Sequence, residues 1–360
     1  MRHDEGNGQR DVATHDQHGS AGRTVAVGAA AVAGAAATAA AGAALLRARE
    51  ARQDPSPLPN LIGGEEGWFP WRGHRVAWTR RGQGPAMVLV HAIHAAAWSY
   101  EWRRVVDGLA ASHTVWTIDL LGFGRSDRPR MRYTAALYVQ LVRDFLEQQV
   151  GEPAVLVASS LSGAHAVAVA ARDARQVPGL VLVCPTGVTH LASPPNRLND
   201  VARATIEAPV VGQGLFDALV TKPSMRAFLS QTYHDSRTYV TDDLLDAYWA
   251  TTHRPGARWA VASFVGMQLN LNVRDALRRL EQPLLITWGA QAKEVPRHEL
   301  DAYRELRPEA EVALFEECGS LPYDEKAAQW MAAVEGFIAR RVRGEAAVAD
   351  VADVALRASA

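Results

Sequence analysis

Val157-Ala158-Ser159-Ser160-Leu161-Ser162-Gly163-Ala164 is the stretch whose reading decides the fold. The apolar, β-branched run from Val155 to Val157 reads as a buried strand. It ends in a tight turn of small residues, and an Ala/Val-rich helix follows at once. A strand that passes through so short a turn into a helix lifts the side chain at the turn to the top of its sheet and exposes it there. That side chain is Ser160, which makes it the candidate nucleophile.

Outward from this turn, strand-like and helix-like patterns alternate from about Trp68 to Val342. Trp68 to Trp71 and His74 to Arg80 read as an antiparallel hairpin around Arg72-Gly73. Ala86 to His91, Thr114 to Leu120, Ala154 to Ala158, Leu180 to Cys184, Pro283 to Trp288 and Val312 to Glu316 are short apolar runs, the pattern of strands in a parallel sheet. Thr134 is placed to cap a helix running through Gln149, with Leu137, Leu141 and Phe145 on one face. This rhythm predicts an α/β architecture with a doubly wound, mostly parallel sheet of eight strands. From about Gly187 to Leu271 the rhythm breaks and only helical patterns remain, which predicts a helical cap inserted after the sixth strand. Its aromatic residues Tyr248, Trp249, Trp259 and Phe264 are candidates to line a pocket, or simply to pack the cap onto the core.

Composition bounds the rest. The chain has 360 residues and a formal net charge of −1, so no strong field draws it to nucleic acid. Lysine occurs only at 222, 293 and 326. Cys184 and Cys318 are the only cysteines and read as free, buried thiols rather than a disulfide framework. Residues 1–23 form a polar, Gly/His/Asp-rich leader with the composition of a disordered segment. Residues 24–46 carry no charged side chain for 23 positions, close to the roughly 20 residues that cross a bilayer. Arg47, Arg49 and Arg52 follow immediately. This predicts a single-pass membrane anchor, with the arginine cluster favouring a cytoplasmic catalytic domain; a weakly apolar Ala/Gly linker is the alternative. Residues 47–67, with Pro55-Ser56-Pro57-Leu58-Pro59-Asn60, read as a stiff spacer. Residues 343–360 are a low-complexity tail.

Four motifs in order give the chain a resemblance to the α/β-hydrolase superfamily, in its lidded branch, over roughly residues 68–342. Val90-His91-Ala92-Ile93-His94 resembles the oxyanion loop after the third strand. Asp119-Leu120-Leu121-Gly122-Phe123-Gly124-Arg125-Ser126-Asp127 resembles the turn after the fourth. Ser160 matches the nucleophile elbow. Thr287-Trp288-Gly289 with Val295-Pro296 resembles the seventh strand and its loop. The resemblance implies an oxyanion hole built from the backbone N–H groups of Ile93 and Leu161, for which side-chain identity matters little. It implies no cofactor and no metal; the His91-x-x-His94 pair lacks a third ligand.

The departures carry equal weight. Ala158 and Ser162 replace the usual glycines at the elbow, Ala92 replaces Gly, and His94 replaces Pro. The family's acid falls at Ala292, and its histidine falls at Ser320 within an otherwise matching frame, Glu317 to Glu325. Glu294 lies two residues past Ala292 and would need a bulge to reach the site. No carboxylate follows the sixth strand, where Cys184-Pro185-Thr186-Gly187 stands. Losing the histidine of a serine-protease triad costs about 10⁶ in turnover, and a serine hydroxyl has no pKa near neutrality with which to replace it. His94 is the first candidate for a substitute base. His91 reads as a loop-holding hydrogen-bonding residue, His165 as helix packing and His298 as the start of a surface helix. Asp324 or Glu317 could act on a water near Ser320. Two functions follow: a hydrolase of small, largely apolar acyl or ester-type compounds that uses Ser160 with an unusual base, or a pseudo-hydrolase that binds a ligand or partner under the cap without turnover.

Overall fold

The computed structural model describes residues 57–344. Eight strands form one sheet: β1 (Glu65–Trp71), β2 (His74–Arg81), β3 (Ala86–Val90), β4 (Thr114–Ile118), β5 (Ala154–Ser159), β6 (Leu180–Val183), β7 (Leu284–Gly289) and β8 (Glu311–Phe315). Their spatial order is β1-β2-β4-β3-β5-β6-β7-β8. β1 and β2 pair antiparallel, as do β2 and β4, and every other pair is parallel. Every residue of β3, β5, β6 and β7 is buried, because helices cover both faces of a parallel sheet and leave no polar side to the strands. The edge strand β8 alternates instead, with Val312 and Leu314 exposed. Pro70 sits in β1, at the opposite edge, where a missing N–H breaks no interior ladder.

Thr134 caps the helix Ala135–Phe145 by accepting from Leu137 N at 3.2 Å, and a wider turn, Leu146–Val150, ends that helix at Gly151 in the left-handed region. Between β6 and β7, among the described residues, there are helices and no strand. The cap comprises Arg197–Glu207, Val211–Leu219, Lys222–Thr232, Ser236–Tyr239, Asp242–Thr252 and Ala257–Val265. Asn196, Thr221 and Thr241 cap three of these through their side chains. Cys184 and Cys318 are buried and unbridged.

The expected membrane anchor is corrected. Among the described residues no helix is long and apolar enough to cross a membrane, and residues 24–46 lie outside the described part of the chain, as do the leader and the end of the tail. The assignment rested on the length of an uncharged run made largely of alanine and glycine, whose apolarity is marginal. The single-pass anchor, and the cytoplasmic orientation inferred from it, are withdrawn.

The entry to the cap hangs on one carboxylate. Glu299, fully buried on the helix Arg297–Leu306, accepts from the backbone N–H groups of Val188 (2.7 Å), Thr189 (2.7 Å) and His190 (2.8 Å), and from the Thr189 hydroxyl. Glu299→Ala would leave these donors without their acceptor. Stability should fall by about 3 kcal/mol or more, since a buried donor deprived of a charged acceptor loses roughly 1–3 kcal/mol. Urea denaturation of the variant against the wild type checks this.

Candidate active site

The C-terminal ends of β3, β4, β5, β7 and β8 bring the four motif loops and the Ser320 loop to one edge of the sheet, the edge at which ligands bind in open α/β sheets. Ser160 occupies the turn between β5 and the helix Leu161–Ala170 with φ 53° and ψ −126°, a sparsely populated conformation for any residue with a Cβ. Its N–H donates to Val183 O at 2.9 Å, and its carbonyl accepts from Gly163 N at 3.0 Å and Thr186 N at 3.3 Å. The backbone is thus held on both sides while the hydroxyl, partly exposed, makes no capping bond. Gly163 is needed behind it: a Cβ there would lie 3.1 Å from Pro185 Cβ.

Ser162, where glycine was expected, uses its side chain. Its hydroxyl donates to His91 O at 2.6 Å and ties the elbow helix to the oxyanion loop. Around that loop the polar accounting is nearly complete. His91 Nδ1 donates to Ala92 O (2.6 Å) and its Nε2 accepts from Leu120 N (3.0 Å), so this buried, neutral ring holds the loop in place, as its sequence context suggested. Ala92 N donates to Glu101 Oε1 at 3.0 Å. The N–H groups of Ile93 and Leu161 have no acceptor among the described residues. They are the two donors an oxyanion would take.

His94 is poorly suited to the role of base. Burial, with His91 adding to it, pushes its pKa down to about 3. Its Nδ1 accepts from Ala96 N at 3.3 Å, which puts the ring proton on Nε2. The ring meets Phe228 and Tyr248 of the cap, each at 5.7 Å between centroids. Near neutral pH it therefore offers a donor. Of the four cap aromatics singled out from sequence, Tyr248 meets His94 of the oxyanion-type loop. Trp249 stacks on His253, Trp259 lies against Arg130 and Arg258, and Phe264 packs on the main core.

The acid and histidine loops are stitched together. Gln291 N donates to Cys318 O, and Cys318 N to Gln291 Oε1, both at 2.9 Å. A Cβ on Gly289 would fall 1.7 Å from Gly319 O, so the loops touch backbone to backbone. Ala292 packs its methyl against the core. Ser320 is buried; its N–H donates to Thr232 O at 2.8 Å, and its hydroxyl lacks a hydrogen bond of good geometry. Asp324 is held by Arg103 (2.7 Å), Arg104 (2.6 Å) and the Tyr233 hydroxyl, while Glu317 is exposed. Asp324 is thus engaged by two guanidinium groups and a phenol. His165 donates its Nε2–H to Leu269 O at 2.9 Å and is buried, and His298 is exposed near the start of the helix Arg297–Leu306. Among the described residues no cluster of three His, Cys, Asp or Glu could hold a metal.

Three participants were not singled out from sequence. Thr232 and Phe228, four residues apart on one cap helix, reach the Ser320 loop and His94 respectively. Their i, i+4 spacing was visible but pointed nowhere without the cap's docking. The third is Glu101, buried beneath the oxyanion loop.

The chain belongs to the alpha/beta hydrolase fold family, whose sequence profile matches residues 85–327. It is 30% identical to an uncharacterized Mycobacterium tuberculosis protein over 277 residues, covering 74% of this chain and 79% of that one. It is 27% identical over 270 residues to the 2-hydroxymuconate semialdehyde hydrolase of Pseudomonas sp. strain CF600, covering 72% and 88%. Among solved structures it resembles a serine hydrolase involved in carbazole degradation, with a TM-score of 0.65 at 21% identity, over 78% of this chain and 100% of that one.

Burial raises the Glu101 carboxyl to about 8, although its bond from Ala92 N pulls the other way. A carboxyl whose folded pKa exceeds its unfolded value is protonated in the fold between the two, and the fold loses stability as pH rises through that window. Glu101→Gln keeps the acceptor for Ala92 N and removes the titration. The stability difference in favour of this variant should grow by up to about 1.4 kcal/mol per pH unit from pH 5 to pH 8, then level off. Denaturation midpoints of the two proteins across that range test it.

Proposed function

We propose that this chain is a serine hydrolase acting on a small, largely apolar acyl or ester-type compound, with Ser160 as its nucleophile. The observation that carries this reading is the strained, doubly anchored turn at Ser160 with the open N–H groups of Ile93 and Leu161 beside it. Ser160 Oγ attacks the acyl carbon; the carbonyl electron pair moves to oxygen, where these two donors hold it. Collapse expels the leaving group and leaves an acyl-enzyme, which water then cleaves. His94, Phe228 and Tyr248 present a mostly apolar wall with one imidazole N–H, which suits a small apolar substrate bearing a single polar group. The relative named for a 2-hydroxymuconate semialdehyde hydrolase supports a substrate that is a small organic compound.

Ala292 and Ser320, standing where an acid and a histidine belong, favour a second reading: a pocket that binds without turnover. A fluorophosphonate probe separates the two. Ser160 should be labelled, and p-nitrophenyl esters of short acids should be hydrolysed slowly. Ser160→Ala should abolish both. A folded wild-type protein that neither labels nor hydrolyses leaves only the binding reading.

A further inference from the structure

Glu294 reaches the place that the missing histidine vacates. The loop after β7 carries its carboxylate to Thr232, whose hydroxyl donates to Glu294 Oε1 at 2.6 Å. The Thr232 carbonyl accepts from Ser320 N at 2.8 Å, so one cap residue touches both the carboxylate and the backbone of the histidine position. The Ser320 hydroxyl lies near enough to favour the ionised carboxylate, though without a bond of good geometry.

The other buried carboxylates around these loops are committed elsewhere. Asp324 is ion-paired with Arg103 and Arg104. Glu325 accepts from Gly319 N (2.6 Å), His234 N (2.9 Å) and Asp235 N (2.9 Å). Glu299 holds the cap entry, and Asp119 is bound by Arg125 and by Ser99 N. Glu294 has only hydroxyl partners, and burial raises its pKa above the ordinary carboxylate value. Partly buried and without a cationic partner, it has the features of a base and not of a structural ion pair.

We infer that Glu294 is the proton acceptor of this site, working across the space left where Ser320 replaces a histidine. The inference rests on the proposal that Ser160 is a nucleophile. An imidazole exceeds a hydroxyl by more than the roughly 30 Å³ that one water occupies, and the inference puts one water in that volume, between Ser160 and the carboxylate. As the Ser160 Oγ–carbon bond forms, the serine proton passes to that water and a water proton passes to Glu294. Glu294 returns a proton by the same route to the departing group. General-base catalysis through one water is within the reach of a positioned carboxylate.

The titratable groups around Glu294 do not obscure its signature. The Cys184 thiol, which feels the Glu294 charge, is pushed by burial up to about 12. Cys318 is raised further, and Glu325 is engaged by the three N–H groups named above. His234, on the cap beside that loop, is exposed and donates its backbone N–H to Glu325.

The test follows ester hydrolysis and fluorophosphonate labelling from about pH 4 to 9 in the wild type, Glu294→Gln, Glu294→Asp and Ser160→Ala. Glu294→Gln keeps an acceptor for Thr232, so the fold should survive, as melting temperature checks. Its kcat/KM should fall by roughly 100-fold or more, and the limb on which activity rises with pH should vanish. Glu294→Asp should keep that limb with a displaced midpoint at a lower rate, which serves if the glutamine variant unfolds. A wild type that labels and hydrolyses, with Glu294→Gln unchanged in rate and pH profile, overturns Glu294 and leaves the nucleophile standing. A wild type inert in both assays overturns the nucleophile, and Glu294 with it.

Discussion

The strained backbone at Ser160 is the constraint on which the rest depends. A residue with a Cβ held at φ 53° and ψ −126° costs on the order of 1–3 kcal/mol, and it persists only where the surroundings over-determine it. Here β6 fixes the N–H through Val183 O, while Gly163 and Thr186 fix the carbonyl. The fully buried strands β3, β5 and β6 supply the rigidity that makes those bonds unyielding. Leu161 N–H, at the first position of its helix, has no intrahelical acceptor and stays available beside the strained turn.

The cap is fixed to the site by the same kind of accounting. The segment from Thr232 to Asp235 lies on the loop that holds Ser320, through Ser320 N to Thr232 O and through the two N–H groups that meet Glu325. A Cβ on Gly319 would fall 2.1 Å from Thr232 O, so only glycine admits so close a roof. With Glu299 securing the cap's entry, the insertion is held at its start and near its middle by buried carboxylates that accept from backbone N–H groups. Such bonds are stronger than neutral ones and directional, and they fix the height of Phe228 and Tyr248 over His94.

The interior strands were legible because a parallel sheet buries both faces and writes each as an unbroken apolar run, and the antiparallel hairpin from its turn at Arg72-Gly73; the eight strands read from sequence correspond to β1 through β8. The helical insertion was legible from the loss of that pattern. Contacts made across long separations were not. The roles of Trp249, Trp259 and Phe264 depend on which way each cap helix is turned, and a helix of mixed composition does not announce this. The reach of Glu294 depends on the path of the loop between β7 and the next helix, and spacing alone argued against it. At 24–46 a count of uncharged residues stood in for apolarity, and alanine and glycine supply little of it. Ser162 reads in sequence as a tolerated glycine substitute; its bond to His91 O makes it a tie between the elbow helix and the loop after β3.

If Ser160 is the nucleophile, as proposed, a serine at 320 in place of a histidine changes the proton chemistry of the site without removing its electrostatic part. An imidazole with a pKa near neutrality takes a proton and returns it at little cost. On the proposed reading the oxyanion donors would act in its absence; in triad enzymes such donors and binding retain roughly 10³–10⁴ over water when the triad is gone. A buried hydroxyl without a partner, as at Ser320, costs about 1–3 kcal/mol; an alanine there would avoid the penalty. Near that hydroxyl stands Glu294, a carboxylate whose charge burial disfavours, and His94, with its proton on Nε2, can donate but not accept. The polarity of the site thus runs from donors at the oxyanion loop to an acceptor at the loops after β7 and β8. That is the direction in which a serine must lose its proton while the substrate oxygen gains charge.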